Sequence, residues 1–519
     1  MTDRLRLSEG NRRWWTLGAM SFALFMIMLD NTAVNVALPS IQKSFDASLS
    51  SLEWTVNAYT LTFAVLLVTG GRLGDIFGRR RMFLFGVVVF ALASATIGLA
   101  PSDGALVASR AIQGIGAAFM MPATLSIISN AFPPHERGKA IGTWAGVSAI
   151  ALAIGPVVGG WLTEEVSWRA IFFINLPVAV GAVLVTLFAA EESRDETVDR
   201  RVDIPGILTM TVSLTALVFA LVEGNGWGWS SPGILGLLAL SVVSLVAFIL
   251  IERRAPSPIV DFEALRSKQF LGANLVAFMI SFGMLATFFF LALYMQNILG
   301  YSPLEAGIRF LPATLVIIVA GPVAGRLADR YGPRPLIVGG LLLTAISMFW
   351  QSRIEVDTSY SYLIGAFILL GFGMGSVMSP MSMAAMNAVD RTKAGVASGT
   401  LSMFRMVGGT FGVAALGALV ASVGRHDLEQ TLPQVPADAR DQLVDGLGSG
   451  AGLAGAPAQV VDAAHRAFVD ALGTGMTISA AALAVAAVVA WFLIAPGRVQ
   501  PETPPAAPQA EAESELATV

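Results

Sequence analysis

GRLGDIFGRRR occupies residues 71–81 and GRLADRYGPRP occupies residues 325–335. Six of the eleven positions are identical. Each copy follows a long apolar run and combines glycine, an acid and arginines. A loop of this make-up recurring 254 positions later marks a chain built from two related halves. Composition says what those halves are made of. The 519 residues are 55% hydrophobic and only 13% charged, with a mean hydropathy of +0.70. A soluble chain carries about 25% charged residues. The apolar residues fall in blocks of about 20, the length of helix that crosses a bilayer core of about 30 Å. A β-barrel would show short alternating segments instead. The expected fold class is therefore all-α integral membrane.

Fourteen spans are expected, at about 14–38, 51–70, 82–100, 104–130, 140–162, 170–190, 204–222, 233–251, 270–294, 303–325, 336–352, 361–386, 395–422 and 474–494. The two loop copies follow the second and tenth spans. Two six-span halves alone would place the second copy after the eighth. The seventh and eighth spans, flanked by charged loops at 191–203 and 252–268, therefore read as an inserted pair. The expected organisation is an N-terminal segment 1–13, a six-helix half 14–190, an inserted two-helix region 191–268, a second six-helix half 269–494 and a disordered tail 495–519. Such repeats are typical of secondary transporters.

Of the 32 Lys and Arg, 23 fall in loops and tails on one side, six on the other and three, Arg110, Arg309 and Arg405, within spans. The positive-inside rule then puts both termini in the cytoplasm. Arg4, Arg6, Arg12 and Arg13 precede an apolar block that is long for a signal peptide and lacks a clear cleavage site, so it reads as a retained first span. Residues 423–470 form a long outer loop. Its end, 458–472, has helical periodicity with Val461, Ala464, Phe468 and Leu472 on one face.

The chain has no cysteine, which excludes disulfides and thiolate metal sites. His135, His426 and His465 all fall in expected loops, so no imidazole serves a span as relay or metal ligand. No phosphate-binding G-x-x-x-x-G-K-[ST] loop occurs, which disfavours an ATP-driven pump. A membrane enzyme would need a His cluster or a paired acid. The reading is not an enzyme, and no cofactor, metal or nucleic acid is expected.

FMIMLDNTAVNVALP, residues 25–39, places Asp30 inside the first span. A charged Asp at a helix centre costs about 2.5–3.5 kcal/mol on insertion scales, so it has a partner, a cavity or a task. Arg110 lies about 9 Å inside the outer end of the fourth span and Asp30 about 13 Å inside that of the first, at 1.5 Å per residue. Asn57 on the second span has a similar depth. Gln113 shares a helix face with Arg110, and Asn31 and Asn35 sit one turn apart. A polar cavity around Asp30 and Arg110 is expected. Desolvation favours a neutral acid and a nearby guanidinium favours its carboxylate. Such a pair is suited to loading and releasing a proton, or to fixing the packing of the two spans.

Four motifs together carry a resemblance: LDNTAVNVALP (29–39), GRLGDIFGRRR (71–81), RAIQGIGAA (110–118) and GPVVGG (155–160). The chain resembles the major facilitator superfamily, most closely its fourteen-spanner drug:proton antiporters of the QacA/EmrB type. The likeness covers all but the tail and parts of 423–470. It implies a proton-coupled antiporter that exports lipophilic or cationic compounds across the cytoplasmic (inner) membrane by alternating access. The alternative within the same fold is a dedicated exporter of one endogenous product, such as an antibiotic, a lipid or a siderophore.

The resemblance gives Asp30 and Arg110 the proton-coupling role. Gly71, Arg72, Gly74, Asp75, Gly78 and Arg79, with Asp329 in the second copy, become a cytoplasmic gating loop that latches one half to the other. Gly155, Pro156, Gly159 and Gly160 become an exporter motif, whose direction of transport comes from the resemblance alone. Arg405 matches a recurrent family position with a possible gating role. Phe282, Phe289, Tyr294 and Met378 are candidate substrate contacts, because aromatic and Met surfaces suit promiscuous apolar binding. Glu164, Glu165 and Glu223 read as interfacial. No intramembrane acid is evident in the last six spans, which departs from well-studied relatives and disfavours divalent cations. Expected partners are a small lipophilic or cationic substrate, protons and the lipid bilayer, with a monomer as the working unit.

Overall fold

The structure, a computed structural model, describes residues 9–194, 203–255, 260, 262–389, 394–436, 439–440, 443–444 and 457–496. The first half comprises α1 (Glu9–Phe45), α2 (Leu49–Phe77), α3 (Arg79–Gly98), α4 (Asp103–Ala131), α5 (Pro134–Glu165), α6 (Ala170–Phe173) and α7 (Asn175–Ala189). The inserted pair is α8 (Ile204–Trp227) and α9 (Pro232–Glu252), followed by the short α10 (Phe262–Leu265). The second half comprises α11 (Lys268–Leu293), α12 (Pro303–Arg309), α13 (Leu311–Tyr331), α14 (Pro333–Gln351), α15 (Tyr360–Met386), α16 (Ala394–Thr431) and α17 (Ala458–Leu493). Among the described residues thirteen spans are long and apolar enough to cross a membrane, and α5 makes a fourteenth if its two arms count as one.

Local chemistry sets the boundaries. Ser48, Ser102, Ser231, Ser267 and Ser302 each accept a hydrogen bond from the backbone N–H three residues on. This satisfies donors that a helix start leaves orphaned. At Ser302 the bond is reciprocated by Glu305, completing a capping box. The arms of α5, Gly146–Leu152 and Ile154–Glu165, meet at 43°. Pro156 explains the bend, because its ring clashes with the carbonyl four residues earlier, at Leu152. Between α2 and α3 the chain turns on Gly78 alone, at φ 113°.

The halves repeat one packing scheme. In the first, α4 packs against α2 and α3, while α1 packs against α5 and α7. In the second, α15 packs against α13 and α14, while α11 packs against α16 and α17. The halves meet where α2 runs along α16 and where α5 runs along α12 and α13. The inserted α8 and α9 pack on each other, and α8 lies beside the seam between α2 and α16. Exposed apolar side chains such as Phe22, Leu92, Phe188, Val319 and Phe492 cover the perimeter, as a lipid-facing surface requires.

The core is not uniform along the helices. At the end away from the arginine-rich loops a single apolar core joins both halves, from Val36 and Leu38 to Phe289, Phe310 and Leu416. Toward the arginine-rich end it divides into one core per half, around Phe83 and Phe90 in the first and Leu341 and Met374 in the second. The end away from the arginines is therefore sealed. Polar contacts across the halves reinforce it: Gln296 Nε2 donates to the Val36 carbonyl at 2.7 Å, and Glu164 accepts from the Leu304 N–H at 3.0 Å.

Two expectations need correction: His135, His426 and His465 lie on α5, α16 and α17 rather than in loops, because those helices run past the apolar spans. The 423–470 loop is shorter, because α16 continues to Thr431 and α17 begins at Ala458 without a break before its span. The periodicity at 458–472 extends that last helix, with Ala464, Phe468 and Leu472 buried. The expected tail lies outside the described residues from 497 on.

Candidate functional site

Asp30 sits within α1, between Leu29 and Asn31. It is fully buried, as are Arg110 and Gln113 on α4. Arg110 Nη1 donates to Asp30 Oδ2 at 2.6 Å and also to Gln113 Oε1. Arg110 Nε donates to the Thr55 carbonyl of α2 at 3.0 Å. Beneath the guanidinium lies the Tyr59 ring, 4.2 Å from its centroid. Gln113 Nε2 donates to Asp30 Oδ1 at 3.0 Å and to Ser94 Oγ at 2.9 Å. Asn175, at the start of α7, donates to the same Asp30 oxygen at 3.2 Å and to Ser94 at 3.3 Å.

Asp30 thus accepts from three side chains on two other helices, and Arg110 meets three acceptors. The network ties α1, α2, α3, α4 and α7 together. Charge-assisted hydrogen bonds of this kind are about twice as strong as neutral ones. Gln113 and the Thr55 carbonyl share the guanidinium with Asp30.

The structure brings Asp30, Arg110 and Gln113 together as their depths suggested. Ser94 and Asn175 complete the site and were not foreseen. Asn175 could have been found by the same depth rule, being a lone amide among apolar residues; Ser94 gave no comparable signal. Asn57 is fully buried on α2, but neither of its side-chain atoms has a partner among the described residues. Asn35 donates to the Asn31 carbonyl at 3.3 Å and leaves its Oδ1 unpartnered, while Asn31 itself is half-buried.

In the loop at 71–81, Asp75, Arg79, Arg80 and Arg81 have partners within their own half. Asp75 pairs with Arg79 at 2.8 Å, and Arg79 N–H donates to the Ser193 carbonyl at 2.9 Å. Glu192, just past α7, accepts from the Arg80 N–H at 3.1 Å and packs on Gly78. Gly71 faces Pro122 of α4. Gly74 lies beside Arg79, and Asp329 of the second copy is exposed. Arg72 is half-buried on α2.

GPVVGG works as a packing surface. A Cβ on Gly155 would strike Thr32 and one on Gly159 would strike Ala33, both on α1. One on Gly160 would strike Pro303 and Leu304 of the other half, and the Pro156 carbonyl occupies the space beside Gly307. Arg405 is on α16, makes no ion pair among the described residues and leaves Nε unpartnered. Phe282 is half-buried against Phe411, and Met378 is half-buried at the second-half core. Phe289 and Tyr294 are fully buried, and the Tyr294 hydroxyl donates to the Glu355 carbonyl at 2.5 Å. Reading from sequence also missed Glu53, a buried acid on α2.

The family model for the Major Facilitator Superfamily matches residues 20–413. A tetracenomycin C resistance and export protein of Streptomyces glaucescens is 37% identical over 93% of this chain and 91% of its own length. A puromycin resistance protein of Streptomyces alboniger is 41% identical over 80% of this chain and 84% of its own. A multidrug resistance protein of Mycobacterium tuberculosis is 33% identical over 92% and 91%. Among solved structures, a bacterial homologue of the human lysosomal transporter Spinster superposes with a TM-score of 0.66 at 17% identity, covering 93% of this chain and 97% of that one. The fold, the spans and these relatives agree: the chain belongs to the Major Facilitator Superfamily.

Proposed function

We infer that this protein exports lipophilic or cationic compounds across the cytoplasmic membrane in exchange for protons, by alternating access. The observation that supports the coupling is the buried Asp30–Arg110–Gln113–Asn175–Ser94 network, which sets one acid inside the membrane against one guanidinium that two other groups also hold. Proton arrival at Asp30 weakens its hold on Arg110, and the helices carrying the two groups are then free to rearrange. The arginine-rich end is the cytoplasmic one, so the sealed end faces outward. Orphaned polar atoms on Asn35 and Asn57 supply a polar surface for water or substrate, since buried polar groups are rarely left unsatisfied. The loop at 71–81 and Asp329 serve as the cytoplasmic gate, and Arg405 as a basic group within the second half. Phe282, Phe289, Tyr294 and Met378 supply apolar contacts when the halves rearrange.

The test uses purified protein in liposomes with an imposed pH gradient and an internal pH dye. A panel of lipophilic cations should drive proton flux in the wild type and none above background in Asp30→Asn. Equal responses in the two proteins would make Asp30 structural. A second reading, a dedicated exporter of one natural product, is favoured by the relatives tied to tetracenomycin C and puromycin. Flux driven by a single aromatic natural product and by no panel member would select it.

A further inference from the structure

Glu53 lies five residues into α2 and is 3% exposed. It forms no ion pair among the described residues, and its Oε2 has no hydrogen-bond partner there. Its Oε1 occupies the place where a Cβ on residue 417 would stand, so the carboxyl is pressed against the bare backbone of Gly417 on α16. This contact crosses the seam between the halves at the sealed end.

The charged groups around it do not neutralise it. From α8 the nearest is another acid, Glu223, which accepts from Trp54 Nε1 at 3.1 Å. From α4, Asp103 accepts from Ser51 Oγ at 2.7 Å, and Arg110 is committed to Asp30, Gln113 and the Thr55 carbonyl. Arg425, two turns beyond Gly417 on α16, donates to the Asn225 carbonyl at 3.4 Å. Asn225 in turn donates to the Ala418 carbonyl at 2.6 Å, clamping α8 over the seam.

We propose that Glu53 is a second proton-binding site, and that α2 closes on Gly417 of α16 only when Glu53 carries a proton. Sealing an ionised carboxylate without a counter-charge is far less favourable than sealing the neutral acid. Opening the outer seal admits water and lets the proton leave. Reclosing takes one up from the outer medium, the side on which the driving proton arrives. This proton is bound and released on the same side. It licenses the return stroke and adds nothing to the number of protons carried across. By linkage, closed-to-open ratio rises as outer pH falls, by up to about tenfold per pH unit for one proton. The inference rests on the transport reading in one respect, that the sealed end is the outer one.

The chain has no cysteine, so a labelled pair can be placed cleanly. Spin labels on cysteines replacing the exposed Ser44 (α1) and Ser422 (α16) report the width of the seal in lipid nanodiscs. Across about pH 5 to 9, the wild-type distribution should move from short to long distances. Glu53→Gln, which keeps the shape of the neutral acid, should hold the short distance throughout. Glu223→Gln should move the midpoint to lower pH, because a facing negative charge is gone. A wild type without pH response, or a Glu53→Gln protein that keeps the wild-type response, would overturn the proposal. Liposome flux in the same wild-type protein tests transport separately. A pH-responsive seal without substrate-driven flux would sink the transport reading and leave the seal acid standing.

Discussion

In the first half, α1, α3, α4 and α7 close around Asp30 and Arg110. In the second, the corresponding helices are α11, α14, α15 and α17, and among the described residues no buried ion pair joins them. There Ser347 Oγ donates to the Ala366 carbonyl at 2.6 Å, Gln351 Nε2 donates to Ser347 at 2.9 Å, and Thr344 donates to the Gly340 carbonyl at 2.9 Å. The same helix arrangement therefore stands without a buried ion pair. Replacing a buried ion pair by well-packed neutral groups is often neutral or stabilising. The charge in the first half is not what the architecture needs, and this favours a chemical task for it.

The loops show a related contrast. Each copy docks on the end of the last span of its own half. The first does so through Glu192, which meets the Arg80 N–H at 3.1 Å and Arg81 at 3.7 Å. The second does so through Arg334, whose guanidinium lies 4.1 Å from the Trp491 ring centroid. An anion receives the first loop and an aromatic ring the second.

The largest effect that could break this comparison is expected at Arg110. An ammonium cannot serve Asp30, Gln113 and the Thr55 carbonyl as a planar fork does. Arg110→Lys should lose at least about tenfold of substrate-driven proton flux, equivalent to about 1.4 kcal/mol, with membrane insertion retained. Wild-type flux in that variant would reduce the pair to simple charge compensation. A smaller effect is expected at Gly78→Ala. The positive φ, in a sparsely populated backbone region, costs a side chain about 1–3 kcal/mol, and the Cβ would displace Glu192. The melting temperature in detergent should fall, and an unchanged value would show that the first loop is not held by Glu192. The smallest is expected at Ser347→Ala, which removes a neutral hydrogen bond of about 1 kcal/mol. Stability should drop slightly while the pH dependence of flux stays as in wild type. A changed pH dependence would mean that proton chemistry is shared between the halves.

Much of this was legible in the sequence. The repeated loop exposed the two halves and the inserted pair, and arithmetic on helix depth brought Asp30, Arg110 and Gln113 to one level. These signals are local or strictly periodic. The rest depends on what covers a residue. Glu53 lies two residues from the expected start of its span, where an acid reads as interfacial. Its burial comes from α2 beginning earlier, at Leu49, and from α8 and α16 lying over it. The loop partner Glu192 stands 112 positions from Arg80, and no pattern in the chain links them. The helix at 458–472 was legible by its period, but the extension of α16 to Thr431 was hidden because polar residues there look like loop until Leu428 and Leu432 are seen to share a core with Phe468.

Those extensions change how the molecule can be handled. At 38 and 36 residues, α16 and α17 are about 57 and 54 Å long, well beyond a hydrocarbon core of about 30 Å. Part of α16 therefore stands clear of the bilayer as a rigid rod continuous with the helix that carries Gly417. Tilting such a rod by about 10° about its middle would move its tip by roughly 5 Å. The tip is thus a mechanical pointer, and a binding protein raised against one of its positions could read, or arrest, a motion that takes place deep within the membrane.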